Sequence, residues 1–297
     1  MFNQIRQSSV TKASKVLVLA GVCTLALTAC AGQKNKAEIV TQQRPVDVVY
    51  NAGAAKLDQR LWGDAVQYFH EVERQYPYSE WSRRAILMTA YAHYQANAYD
   101  DAREDSDRFI GLYPGNASAV YAYYLKAICY FEQIIDVGRD QAATEQALAA
   151  LREVVRRYPN TEYATDAKLK IDMVNDQLAG KEMAVGRYYL REGDPLAAIG
   201  RFRTVVDKFQ TTSDTPEALY RLVEAYLTLG LTDEAKRNAA VLGFNYPGER
   251  WYTDAYNLMQ GKGVAPAILP VRTKHTGGIR LPTIPMLRGK ALKPPTT

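Results

Sequence analysis

Cysteine and histidine are nearly missing from this chain, with three of each among 297 residues. Cys23 and Cys30 stand near the amino terminus, so Cys129 is alone in the rest of the chain and no disulfide or paired-cysteine metal site can form there. Cys129 lies in the apolar run Ala127-Ile128-Cys129-Tyr130-Phe131, the setting of a small core residue. His70, His93 and His275 are scattered, and there is no His-Glu-x-x-His, Cys-x-x-Cys, Gly-x-Ser-x-Gly or phosphate-cradling glycine loop. His93 reads as a satisfied packing or groove histidine. The carboxylates of Asp100-Asp101 and Glu104-Asp105 point around a helix rather than at one another and read as solvated faces. No catalytic residue, metal ligand or cofactor is assigned, and a non-enzyme is expected.

Long apolar runs are also lacking. The stretch from Val16 to Ala29 is too short to span a bilayer and is followed at once by polar sequence. It is preceded by Arg6, Lys12 and Lys15 with no acid, the pattern of a bacterial signal peptide over residues 1–29. The segment ends in Leu27-Thr28-Ala29-Cys30, which resembles the lipobox of bacterial lipoproteins at all four positions. That resemblance implies cleavage before Cys30 and lipidation of its thiol and new amino terminus, giving a stable membrane anchor from several acyl chains. Ala31, in place of Asp, implies export to the outer membrane. Residues 30–44 then read as a flexible tether.

Acid is absent from residues 261–297, which hold seven Lys/Arg and many prolines with little periodicity. This segment reads as a basic, disordered tail. Of the chain's 37 Lys/Arg, three lie in the signal and seven in the tail, leaving 27 against 32 Asp/Glu in the body. The pI therefore averages an acidic body and a basic tail. Nucleic-acid binding is not implied, because the tail has no interleaved aromatics for base stacking.

What the chain has in quantity is a repeat. Ala65, Ala102, Ala147, Ala198 and Ala235 are each followed twelve residues later by Pro77, Pro114, Pro159, Gln210 and Pro247. Tyrosine precedes each proline and Phe209 precedes Gln210. Apolar residues at helical spacing fill the intervals, so a small residue allows close helix approach and the proline then stops the helix. Each unit is the second helix of a helical hairpin. Small residues at Gly53, Ala90, Ala127 and Gly186 mark the first helices, and Ser79, Asn116 and Thr161 after the stops are placed to cap the next helix. Residues 134–141 read as an insertion between the helices of the third repeat, and a long helical pattern runs from Tyr163 to Leu190.

The endings recur at 37 to 51 residues, and the pattern resembles tetratricopeptide repeats. An all-α solenoid of about five helical hairpins is expected over residues 45–260, with disordered termini. There are 21 tyrosines, a residue type enriched where proteins bind proteins. In that family the first helix of each hairpin lines a groove. The resemblance places Arg84, Leu87, Tyr91 and Tyr94 of repeat two, and Tyr121, Tyr124, Ile128 and Phe131 of repeat three, on that surface.

Longer strings are more specific: Val49-Tyr50-Asn51-Ala52, Leu61-Trp62-Gly63-Asp64-Ala65, Tyr91-Ala92-His93-Tyr94, Asp107-Arg108-Phe109-Ile110, Arg157-Tyr158-Pro159-Asn160-Thr161, and Gly186-Arg187-Tyr188-Tyr189. With the lipobox they resemble the BamD (ComL/YfiO) family of outer-membrane lipoproteins over about Val48 to Asn257. The resemblance implies a non-enzymatic member of the β-barrel assembly (BAM) complex. Its implied partners are a BamA-like protein with POTRA domains and a β-barrel, other BAM lipoproteins, unfolded outer-membrane precursors, and the membrane through its lipid. It further implies that the amino-terminal repeats recognise the aromatic carboxy-terminal signals of precursors, and that Arg201 matches the family's arginine that docks a POTRA domain. A pilotin-like lipoprotein for secretin or pilus assembly, or a scaffold for peptidoglycan enzymes, would share the anchor and the fold.

Overall fold

A computed structural model describes residues 44–134, 141–265 and 294. The signal peptide, Cys30, most of the tether, the centre of the 134–141 insertion, His275 and nearly all of the tail lie outside the described residues. The described residues form helices and no strand. In chain order these are α1 (Val46–Asp58), α2 (Trp62–Gln75), α3 (Glu80–Gln95), α4 (Tyr99–Leu112), α5 (Ala119–Glu132) and α6 (Ala142–Arg157). Then come α7 (Glu162–Arg191), α8 (Pro195–Lys208), α9 (Thr215–Thr228), α10 (Thr232–Asn245) and α11 (Arg250–Gly261). Five hairpins pair α1 with α2, α3 with α4, α5 with α6, the second half of α7 with α8, and α9 with α10, and α11 follows as a single helix. The chain divides into two compact units, one up to Ala85 and one from Ile86 onward.

The five aromatic stops share one geometry. The N–H of Tyr76, Tyr113, Tyr158, Phe209 and Tyr246 closes the preceding helix onto Val72, Phe109, Val154, Val205 and Leu242, at 2.8–2.9 Å. Each aromatic carbonyl then accepts from the N–H three residues on, that of Ser79, Asn116, Thr161, Thr212 or Glu249, at 3.0–3.3 Å. The turn after Phe209 is built like the others because neither bond uses the N–H of the residue after the aromatic, which proline lacks. Thr212 Oγ1 donates to Phe209 O at 2.8 Å, as Ser79 and Thr161 do to Tyr76 and Tyr158. Ser79 and Thr161 also cap the next helix, accepting from Ser82 N at 3.0 Å and Ala164 N at 3.2 Å.

Within hairpins one, two, four and five the chain reverses through a left-handed residue: Arg60, Asn97, Gly193 and Gly230, with φ of 59°, 60°, 79° and 74°. The following N–H reaches back five residues, Leu61 to Lys56, Ala98 to His93, Asp194 to Tyr189 and Leu231 to Tyr226, each at 2.9 Å. This satisfies a carbonyl that the helix end would leave open.

Close approach depends on glycine at three places. A Cβ on Gly53 would stand 2.9 Å from the Phe69 ring, one on Gly186 2.5 Å from Phe202, and one on Gly243 2.5 Å from Tyr252. The first two pairs are the small residue of a first helix meeting the aromatic four positions after the small residue of the second.

In the second unit α7 joins two cores. One runs from Ile86 to Val174 and includes Phe109, Tyr121, Tyr124, Ile128 and Leu151. The other begins at Ala179 and includes Met183, Phe202, Leu219, Leu222, Tyr252 and Met259. The 30 residues of α7 give it length for both. Its first half packs on α5 and α6 and its second on α8.

Candidate functional site

The surface assigned to repeats two and three lies on α3 and α5, and α5 is flanked by α4, α6 and α7. Three neighbours leave little of it open. Tyr121 and Tyr124 are fully buried, with ring centroids 5.7 and 5.1 Å from that of Tyr163 on α7. Tyr124 Oη donates to Asp166 Oδ2 at 2.7 Å, and Asp166 also receives Lys170 Nζ at 3.1 Å. Lys170 is itself buried and its ammonium lies 5.4 Å from the centre of the Phe131 ring. Tyr121 Oη has no hydrogen-bond partner among the described residues, and burial holds its pKa well above the usual tyrosine value.

The expected contact residues therefore separate into two groups. Tyr121, Tyr124 and Ile128 are core, as are Leu87 and Tyr94, whose hydroxyl lies 3.4 Å from Glu132 Oε1. These five support the face instead of presenting a side chain on it, because α7 and the neighbouring hairpin cover the α5 positions that an isolated hairpin would expose. Tyr91 and Phe131 are half-buried and do reach the surface. Arg84 belongs to the first unit, where its guanidinium lies 5.6 Å over the Trp81 ring and pairs with Glu80 at 2.9 Å. Trp81 in turn packs on Tyr50 at 5.0 Å.

His93 is half-buried and bonded, Nδ1 to Asp105 Oδ2 at 2.8 Å. The hydrogen bond to Asp105 raises its pKa against the opposing effect of burial. Asp105 also pairs with Arg108 at 3.3 Å and is buried. The expectation that Asp105 belongs to a solvated face is corrected: helical rotation turns Asp100 and Asp101 outward and Asp105 inward, against α3. Cys129 is buried, and burial pushes its thiol up to about 12, which leaves it unreactive. Among the described residues no three His, Cys, Asp or Glu side chains group as a metal site, and no helix is long and apolar enough to cross a membrane.

Arg201 stands on α8 with its side chain 45% exposed, Nη1 3.3 Å from Glu182 Oε2 on α7. An arginine buried against a partner carboxylate repays the desolvation of both charges only with well-aligned, bidentate hydrogen bonds. A further surface on α9 and α11 escaped the repeat pattern. Tyr220 and Trp251 pack at 5.4 Å, Arg250 lies 4.2 Å over Trp251, and Arg221 bonds Glu217 and Glu224. The signal in the sequence was the Arg250-Trp251 pair, since Trp and Arg are prominent in the energetic centres of interfaces.

The family model YfiO, described as an outer membrane lipoprotein, matches residues 42–242. The outer membrane protein assembly factor BamD of Caulobacter vibrioides is 66% identical over 257 residues, covering 86% of this chain and 84% of its own length. That of Rickettsia prowazekii is 44% identical over 249 residues, covering 84% of this chain and 98% of its own. A solved tetratricopeptide-repeat protein of Thermus thermophilus aligns over 73% of this chain and 98% of its own at 18% identity, with a TM-score of 0.35. The chain belongs to the YfiO (BamD) family of outer membrane lipoproteins.

Proposed function

We propose that this protein is the lipid-anchored, non-enzymatic helical-hairpin component of a β-barrel assembly complex at the periplasmic face of the outer membrane. The observation that carries this is the family match, which spans four complete hairpins and most of the fifth. Cys30 holds the lipid, residues 30–44 are the tether, and residues 45–260 are the working domain. The described residues offer apolar-aromatic and charged surfaces, which supports a role in binding.

Arg201 docks a BamA-like partner through its POTRA region, and its pairing with Glu182 holds the guanidinium ready in the free protein. Tyr91 and Phe131 are the contact residues for the aromatic carboxy-terminal strands of unfolded precursors, over a floor of Tyr94, Tyr121, Tyr124 and Ile128. Other assembly lipoproteins complete the complex.

The test is purification of the lipidated protein in mild detergent with identification of what accompanies it. A BamA-like protein is the expected companion, and a secretin or a peptidoglycan synthase in its place would overturn the proposal. Arg201→Glu should release the BamA-like partner with unchanged thermal unfolding, since the residue is exposed. Undiminished co-purification removes Arg201 from the site. Cys30→Ala should leave an unacylated precursor outside the outer-membrane fraction.

A further inference from the structure

A different face of α5 carries Tyr123 and Tyr130, both half-buried. With Lys126 beside them and the small residues Ala149 and Ala150 on α6, they line an open cleft of 390 Å³. Two of its α5 side chains are held from α4: Asp107 receives Lys126 Nζ at 2.6 Å, and the Arg103 guanidinium lies 4.5 Å over the Tyr130 ring. The Arg157 guanidinium lies 5.0 Å over Tyr123. None of these residues belongs to the surfaces assigned to precursor or partner binding.

Two tyrosines seven residues apart on a helix stand about 10.5 Å apart along its axis. Aromatic-lined grooves of this kind take proline-rich strands, which come preformed as polyproline II helices and lose little entropy on binding. The tail of this chain contains Pro282-Thr283-Ile284-Pro285-Met286-Leu287-Arg288. Its prolines are three residues apart, one polyproline II turn of about 9.3 Å, so Pro282, Pro285 and Arg288 share one edge.

Charge selects a direction. At the Tyr130 end α4 begins with the exposed Asp101 and with Asp100, which pairs with Arg103, and α6 carries the exposed Glu145 in its first turn, a net excess of acid. At the Tyr123 end α6 finishes in Arg156 and Arg157, which share the single carboxylate of Glu153, a net excess of base. Arg288 is favoured at the first end and repelled at the second, which sets Pro282 on Tyr123 and Pro285 on Tyr130.

Reach is sufficient. From α11 the packed helices lead through α9, α8 and α7 to α5, four lateral steps of 8–10 Å each, and half the length of α7, about 22 Å along its axis, separates its contact with α8 from that with α5, so the span is about 46 Å. The seventeen residues from Ala265 to Pro282 can extend to about 56 Å.

We propose that the Pro282–Arg288 stretch of the chain's own basic tail docks in the cleft lined by α5 and α6, on Tyr123 and Tyr130. The tail thereby covers the outer side of repeat three, independently of the assembly role proposed above.

The test uses the full-length lipidated protein in mild detergent, with a photo-reactive residue in place of Ile284. The expected product is a cross-link within one chain to fragments containing Tyr123–Tyr130 or Gln146–Glu153, with mixed light and heavy isotopic preparations separating one chain from two. Ala149 is exposed, so Ala149→Trp fills the cleft without entering the core and should lower that cross-link at least fivefold at unchanged helicity. Pro282→Ala with Pro285→Ala should do the same without touching any hairpin. Cross-linking to another region, to a second copy or to a different protein overturns the proposal, as does a yield that neither variant changes.

Discussion

In the core from Ile86 to Val174 the largest fully buried side chains are Tyr121 and Tyr124, whereas the core from Ala179 to Met259 is filled by Phe202, Met183, Leu219 and Tyr252. Both cores bury phenolic hydroxyls, those of Tyr121 and Tyr124 in the first and that of Tyr252 in the second, and each must find an acceptor or bear the cost of desolvation. Tyr124 has Asp166, while Tyr121 has no partner among the described residues. The second relies on helices meeting closely over Gly186 and Gly243, where a ring fills the space that a Cβ would take. Polar pairing thus matters more to repeats two and three, and shape more to repeats four and five.

The largest effects should appear where shape dominates. Phe202→Ala should cost about 3–5 kcal/mol in thermal or denaturant unfolding, because Gly186 has no side chain with which to fill the cavity. Gly186→Leu should also destabilise, by about 1–3 kcal/mol or more, through overpacking against Phe202. A loss below about 1 kcal/mol for either would mean that α7 and α8 are not in close contact there.

The hydroxyls sharpen the contrast. Tyr124→Phe should cost about 1.5–3 kcal/mol, because it removes a hydrogen bond to a charged group. Tyr121→Phe should be neutral or stabilising, since the hydroxyl it deletes has no partner among the described residues. Equal losses in the two variants would place an acceptor beside Tyr121 and erase the distinction.

A smaller effect concerns pH in repeat two. His93 has its pKa raised by Asp105, with Asp101 adding to the effect and Arg108 sharing the same carboxylate. A raised value means that the pair's stabilisation is complete below the ordinary histidine value of about 6.5 and is lost as pH rises through the folded value above it. The unfolding free energy of the unsubstituted protein should decline across that window by about 1 kcal/mol or less relative to His93→Gln, because partial exposure screens the pair. Parallel pH profiles would show that the pair contributes nothing.

The smallest change is a gain. Gln210→Pro should stabilise by about 0.4–1 kcal/mol by restricting the unfolded chain, because the turn after Phe209 already has the geometry of the four proline turns. Destabilisation would show that the Gln210 N–H has a role that the other turns lack.

Much of this architecture was legible from local chemistry. The alanine-to-proline interval marked the second helices, and Gly53 and Gly186 marked close approach, because these depend on residues a few positions apart and recur in each hairpin. Thr161 and Ser79 were identifiable as caps for the same reason, and His93 as a satisfied side chain. Less legible was the division of the expected contact residues. Tyr91 and Ile128 occupy corresponding positions on first helices, one past Ala90 and Ala127, yet one reaches the surface and the other is sealed.

By itself the sequence determined the hairpins, their turns and their order, together with the family, because helix stops, left-handed turn residues and small-residue positions act within one repeat. The tertiary structure alone decided which aromatic side chains form core and which form surface, and that Asp105 turns inward to His93. Those outcomes depend on what neighbouring helices cover: α7 lies across α5 and brings Tyr163, Asp166 and Lys170 against a face that its own repeat leaves bare. Burial of this kind is set by contacts between residues some forty positions apart, such as Tyr124 with Asp166, and a period within the repeat carries no record of them.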